Sequence, residues 1–154
     1  MAILNFVKPD KIVLQKASDF EAQFEFRPLE PGFGVTIGNA LRRVLLSSLE
    51  GYAIAGIKIE GGDHEFATIK GISEDVVEII LNLKQVRFKK KVDHDVSHEK
   101  ITLSLKNKTE FTAATIGEAT QSFEVMTPEL LICTMDPSAK LDIEINIVKG
   151  RGYV

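Results

Sequence analysis

His94 and His98 stand four residues apart in the segment VDHDVSHE, with Asp93, Asp95 and Glu99 beside them. On a helix this spacing would place both imidazoles on one face, as a metal pair requires. The segment lies between two strand patterns and lacks helical apolar spacing. It is also not H-E-x-x-H, so it reads as a solvated hairpin loop. His64, in GGDHE, is a lone histidine in a turn. Cys133 is the one cysteine, which excludes an internal disulfide and a cysteine-based zinc site within one chain. Carboxylates are plentiful but scattered, and no Ser/His/Asp constellation can be assembled. No catalytic residue, metal site or cofactor is expected.

Gly32, Gly34 and Gly38 follow a strand pattern and open a helix, the context of a phosphate loop. Ile37 occupies the place of the third glycine of a dinucleotide fingerprint, and no Gly-Lys-Ser/Thr triplet makes a Walker A loop. The structural alternative is that Gly32 and Gly34 supply unusual backbone dihedrals while Gly38 allows close packing. Lys84, Arg87, Lys89, Lys90 and Lys91 form a basic stripe. It could face phosphates, but Phe88 is its one interleaved aromatic, and lysines commonly blunt strand edges.

The elements that carry these residues follow from periodicity. Phe20, Ala22, Phe24 and Phe26 alternate with Glu21, Gln23 and Glu25 as in a half-buried strand, and Pro28, Pro31, Gly32 and Gly34 stop it. A helix is expected from about Thr36 to Glu50, with Gly51 as its C′ residue. Tyr52 to Glu60 reads as a strand ended by Gly61-Gly62. Ser73 is the expected N-cap of a second helix reaching about Lys84. Shorter strands are expected at Val86–Phe88, Ile101–Leu105, Phe123–Val125 and Leu130–Cys133. Leu141, Ile143, Ile145 and Ile147 against Asp142, Glu144 and Asn146 give the cleanest alternation, and the KGRGYV that follows, from Lys149, reads like the beginning of a loop. Two helices and about eight short strands make an α+β protein with a β-rich second half and a boundary near Gly51.

The composition bounds the function classes. The chain has 154 residues, 44% of them hydrophobic, with 19 Lys and Arg against 22 Asp and Glu, a net charge of −3. This balance argues against a surface that grips nucleic acid or anionic lipid everywhere. The first residues lack a signal-peptide apolar region, and no apolar run approaches the roughly 20 residues of a membrane span. A soluble protein of a reducing, cytoplasmic compartment is expected.

The helix after Thr36 is the most informative element. At 100° per residue Ile37, Ala40, Leu41, Val44, Leu45 and Ser48 form one stripe, which is expected to be buried. Arg42, Arg43, Leu46 and Ser47 lie on the opposite side. Two arginines framing a leucine have the residue mix of an interface, and a solvated face is the alternative.

The stretch LEPGFGVTIGNALRRVLLSSLEGYAI, Leu29 to Ile54, resembles the α-subunit family of bacterial DNA-dependent RNA polymerase. The motifs are PGFG, TIGNALRR and LLSS. Similarity continues through Phe6-Val7-Lys8-Pro9, the EDVVEIILNLK run from Glu74 to Lys84, Thr112-Ala113-Ala114 and Gly150 to Val154, and so covers essentially the whole chain. Val35 departs from the family, where His or Tyr is common.

The resemblance implies part of a dimerisation domain over residues 1–51, followed by an inserted β-rich domain over 52–154. It implies a non-catalytic assembly subunit that pairs with a second α subunit and docks the large β and β′ subunits of the nucleotidyltransferase. By the same resemblance Phe6, Phe33, Ile37, Leu41, Val44 and Leu45 belong to the dimerisation region. Arg42 and Arg43, with Leu46 and Ser47, and separately Lys84, belong to regions that contact the large subunits.

Family chains continue past GRGYV into the rest of the dimerisation domain and a DNA-binding domain. The chain is therefore expected to be a fragment, to bind no DNA directly, and to leave an unpaired edge beside the Leu141–Ile147 strand. Two other function classes compete with this one: a small enzyme or anion-binding module on the glycine loop, and a free nucleic-acid-binding module on the Lys84–Lys91 stripe.

Overall fold

The computed structural model describes residues 5–18, 21–62 and 64–152. Among them the chain forms nine strands and three helices. The α+β class holds. The contacts divide the chain into two units, one comprising the described residues up to Leu49 and the other Glu50–Gly152.

The first unit is a hairpin followed by a helix. Strands β1 (Lys11–Ala17) and β2 (Ala22–Arg27) pair antiparallel, with Leu14 opposite Phe24 and Ile12 opposite Phe26. Phe20 of the expected alternation lies outside the described residues. The helix α1 runs Phe33–Ser47, so it starts and ends three residues earlier than its apolar spacing suggests. Gly32 sets the start: its φ of 89° is a left-handed value that favours glycine, and the Phe33 N–H then bonds the Glu30 carbonyl at 3.1 Å. Gly34 has no such dihedral, and a Cβ at Gly38 would meet nothing within 4 Å. Those two expected glycine roles fail. Gly51 is not a helix C′ residue either, because β3 already begins at Glu50.

The second unit holds the hydrophobic core. Its main sheet has the order β3-β9-β5, all antiparallel, from β3 (Glu50–Ile59), β9 (Lys140–Arg151) and β5 (His98–Lys106). Ile59, Ile101, Leu103 and Leu105, with Leu141, Ile143, Ile145 and Ile147, are buried on one face. Aligned cross-strand pairs such as Ile57–Ile145–Ile101 and Ile59–Ile143–Leu103 build that face. In β3 a bulge makes this possible. Ile54 sits opposite Ile147 and Gly56 opposite Asn146, so Ala55 has no partner. The extra residue shifts the two-residue period by one and turns both Tyr52-Ile54 and Ile57-Ile59 inward.

Two findings correct expectations about the end of the chain. Lys149 to Arg151 do not begin a loop: they extend β9 and pair with Tyr52 to Glu50. The strand containing Leu141–Ile147 is no unpaired edge, because β3 and β5 flank it on both sides.

Against this sheet pack two helices and two small two-stranded sheets. Helix α2 (Val76–Leu83) is capped by Asp75 rather than Ser73. The Asp75 carboxylate accepts the Glu78 N–H at 2.7 Å while the Glu78 carboxylate accepts the Asp75 N–H at 3.3 Å, a reciprocal capping box. Its buried residues are Val76, Ile79 and Leu83. Helix α3 (Ala113–Ala119), β1 and β6 (Glu110–Thr112) are not foreseen by the sequence reading. Strand β6 pairs with β8 (Leu131–Thr134), and β4 (Phe88–Lys90) pairs with β7 (Phe123–Val125). Phe111, Ile116, Phe123, Ile132 and Cys133 fill the space between.

Candidate subunit-docking surfaces

None of the residues of α1 is buried. Ile37 is half-buried, but Leu41 is 57% exposed, Leu45 64% and Val44 48%. The stripe expected to be covered is therefore open, together with Ile12, Leu14 and Phe24 of the hairpin. A helix in water owes most of its stability to packing of its apolar face, so a 15-residue helix with that face open calls for a cover. Phe6 and Phe33 supply one local contact, edge to face, with ring centres 5.1 Å apart and planes at 73°. The Val7 N–H bonds the Glu30 carboxylate at 3.0 Å and ties the same segment to the approach to α1.

On the opposite side Arg42, Arg43 and Leu46 are all exposed, Leu46 by 64%. Neither arginine joins an ion pair among the described residues. The Ser47 hydroxyl donates to the Arg43 carbonyl at 2.7 Å, turning back onto its own helix. Two guanidinium groups flank a bare leucine with no internal partner. This suits a protein surface with carboxylates around an apolar centre.

The second candidate surface is around Lys84, which follows the last residue of α2 as its C-cap. Its side chain stands at a cleft of about 250 Å³. The basic stripe does not form one patch. Arg87 turns its guanidinium back to the Lys84 carbonyl at 2.9 Å, and Lys89 stands opposite Glu124 in the β4–β7 pair. Lys91 lines a separate groove together with Glu118 and Glu124. Cations dispersed and interleaved with carboxylates do not make the continuous positive track that a nucleic-acid backbone follows.

The other sequence candidates have structural roles or none. His98 opens β5 instead of lying in the loop, while His94 stays in it, and no group of three or more metal-ligating side chains occurs among the described residues. Cys133 is buried, and that burial, with the nearby Glu74 charge, pushes its thiol up to about 12, far from a reactive thiolate. Glu74 is occupied: its carboxylate accepts the Thr134 N–H at 2.7 Å and the Thr134 hydroxyl at 3.2 Å. No helix among the described residues is long and apolar enough to cross a membrane.

Comparisons with known proteins give this arrangement its context. The family described as "RNA polymerase Rpb3/RpoA insert domain" matches residues 57–154. The chain is 55% identical over 154 residues to the DNA-directed RNA polymerase subunit alpha of Flavobacterium psychrophilum. The identity is 58% to that of Cytophaga hutchinsonii and 57% over 155 residues to that of Porphyromonas gingivalis. In each case the whole of this chain aligns with 46% of the relative, so it spans about half their length. The residues matched begin inside β3 and include the whole of β9, α2 and α3, and on that match the chain belongs to the RNA polymerase Rpb3/RpoA insert-domain family, with the bacterial polymerase α subunits as its relatives.

Proposed function

We propose that this chain is a non-catalytic assembly module of DNA-directed RNA polymerase, acting in the cytoplasm. Residues 1–51 supply part of a dimerisation domain and 52–154 the insert domain. The apolar side of α1 (Ile37, Leu41, Val44 and Leu45), with Phe6 and Phe33 at its approach, pairs with a second α subunit. The Arg42, Arg43, Leu46 and Ser47 side docks a large subunit, β or β′, and Lys84 makes a further large-subunit contact. The observation that carries this reading is α1 itself, a helix apolar along one side with no residue buried in its own chain. The family match supports it. On this reading nucleotidyl transfer belongs to the large subunits, and this chain holds them together.

Co-purification of the β subunit with this chain, beside an Arg43→Ala version, tests the reading. Truncating a desolvated interface arginine typically costs about 2–4 kcal/mol, against under about 0.5 for a solvated one. The variant is expected to keep its fold and lose β. Equal capture by both forms would return this side of α1 to solvent. Template-dependent nucleotide incorporation by the chain alone would remove the non-catalytic assignment.

A further inference from the structure

The main sheet ends on one side in β5, and the outer side of that strand is regular along its whole length. The Lys149 N–H bonds the Ser97 carbonyl at 2.9 Å, and the register then runs unbroken from His98 opposite Val148 to Lys106 opposite Lys140. In an antiparallel ladder the hydrogen-bonding direction alternates, so the odd-numbered residues from Ser97 to Leu105 bond β9. His98, Lys100, Thr102, Ser104 and Lys106 turn their N–H and C=O groups the other way, where no strand pairs with them. No backbone bond among the described residues meets those groups, and all five residues are exposed. Neither a bulge nor a proline interrupts this edge over its nine residues, about 30 Å at about 3.4 Å per residue. The opposite edge, β3, is broken by its bulge after Ile54. Charge also marks the β5 edge. The exposed residues from 98 to 109 include Lys100, Lys106 and Lys108 and no acidic residue. Glu99 is half-buried and engaged by Thr120 and Gln121. Lys100 is held by Glu144 of β9 at 2.7 Å, whereas Lys106 and Lys108 join no ion pair among the described residues.

We propose that the outer edge of β5 receives an extended acidic segment of an accessory protein that binds the assembled polymerase, adding a fourth strand to the β3-β9-β5 sheet. The added strand bonds the even-numbered backbone groups, and its carboxylates, at alternate positions, lie beside Lys100 and Lys106 with Lys108 past the end of β5. The inference rests on the assembly role above only in taking the polymerase as the particle bound. The large-subunit contacts of that role lie on α1 and beside β3, whose Ile54 and Ile57 line the Lys84 cleft, and β5 is the other edge of the sheet. That placement leaves β5 to a further protein. A nucleic-acid backbone would meet the lysines with phosphates, but phosphates donate no hydrogen bond to the five outward carbonyls of the edge.

The test uses polymerase assembled around the full-length α subunit. The probes are a labelled peptide of about nine residues alternating valine with glutamate and one alternating valine with lysine. The acidic peptide is expected to bind at least about tenfold tighter, with a difference that shrinks at high salt. Hydrogen exchange is expected to slow at the N–H groups of Lys100, Thr102 and Ser104 when it binds. Thr102→Pro removes an outward N–H and no bond to β9, so the sheet is expected to stay folded while peptide binding falls at least about tenfold. Lys106→Glu with Lys108→Glu leaves the backbone unchanged and is expected to weaken the acidic peptide by about the same factor. No binding of the acidic peptide, equal binding of the two peptides or protection elsewhere than β5 overturns the proposal, and the lysines then only keep the edge in water. Unchanged binding by Thr102→Pro overturns it too, as contact through charge alone. Capture of the β subunit reads the assembly role separately. If Arg43→Ala captures β normally while the peptide still protects β5, the docking side of α1 falls and the edge proposal stands. If the β5 variants lose the β subunit, the edge belongs to a large subunit and the accessory-protein proposal falls.

Discussion

The carboxylate of Glu99 on β5 accepts a 2.7 Å hydrogen bond from the hydroxyl of Thr120, the residue that ends α3. The same carboxylate takes the N–H of Gln121 at 2.9 Å and that of Ser122 at 3.2 Å. Thr120 Oγ1 in turn accepts the Phe123 N–H at 3.3 Å. One side chain thus holds the turn between α3 and β7, and with it buried Phe123, against the main sheet.

Glu99→Ala is therefore expected to destabilise the fold by about 1–3 kcal/mol at neutral pH, since it strands Thr120 and two backbone donors. Burial acts to raise the Glu99 pKa, but the bonds from Gln121, Thr120 and Ser122 together outweigh it and leave it below the ordinary 4.5. A depressed acid contributes stability above its unfolded value and loses it as pH falls through the folded one. The gap between parent and variant in urea unfolding should be full at pH 7 and shrink below about pH 4.5. A gap that persists unchanged in acid would assign the effect to lost packing instead.

At the start of α2 the Asp75–Glu78 box satisfies two backbone donors that the helix leaves open. Asp75→Ala should cost about 0.5–2 kcal/mol and Ser73→Ala much less, because no hydrogen bond from the Ser73 side chain to the helix start is formed. Thermal unfolding of the two variants separates the caps. Equal losses would remove Asp75 from that role.

Gly71 has φ of +79°, and a Cβ there would stand 2.9 Å from the Ala139 Cβ. Its carbonyl also receives the Asp136 N–H at 2.7 Å, so the loop cannot easily move aside. Gly71→Ala combines a left-handed backbone, about 1–2 kcal/mol for an L-residue, with a clash. A loss above about 1 kcal/mol in chemical denaturation is expected, and a neutral result would mean that the Asp136–Ala139 turn gives way.

Periodicity reads the second unit well where one strand contains the whole signal. Leu141 to Ile147 alternates cleanly because a single face of β9 is buried. It fails where the decisive partner is distant. Lys149–Arg151 look like a loop beside Gly150, yet they pair with residues a hundred positions earlier, where Glu50 meets Lys149 and Arg151. Those two cations hold the Glu50 carboxyl down to about 2. Glu99 reads as part of a histidine-rich loop because its partners lie 21 to 23 residues downstream. Helix α3 has only seven residues, including a glycine, too few for a 3.6 period to show. For the candidate site, the sequence marks the apolar and arginine sides of α1, but spacing alone carries no sign of what covers them. The Lys84 cleft is lined by β3 residues around its bulge, and a bulge has no period at all.

The open side of α1 leads to the last prediction. Among the described residues every buried hydrophobic side chain lies at Ile59 or beyond, in the second unit. Leu41, Val44, Leu45 and Phe24 stay in contact with water in the isolated chain. Fully burying each is worth about 1.5–3 kcal/mol, a large share of a domain stability of about 5–15. Pairing of copies through α1 recovers part of that. The purified chain should therefore sediment as a dimer or larger species at micromolar concentration. Leu41→Lys with Leu45→Lys should shift it toward monomer, while β5 and β9 remain folded. Hydrogen exchange should be fast along α1 in dilute solution, slow in the β3-β9-β5 sheet, and slower in α1 as concentration rises. A monomer at all concentrations with a strongly protected α1 would show that the helix is stable uncovered, and the pairing role of Leu41 and Leu45 would fall with it.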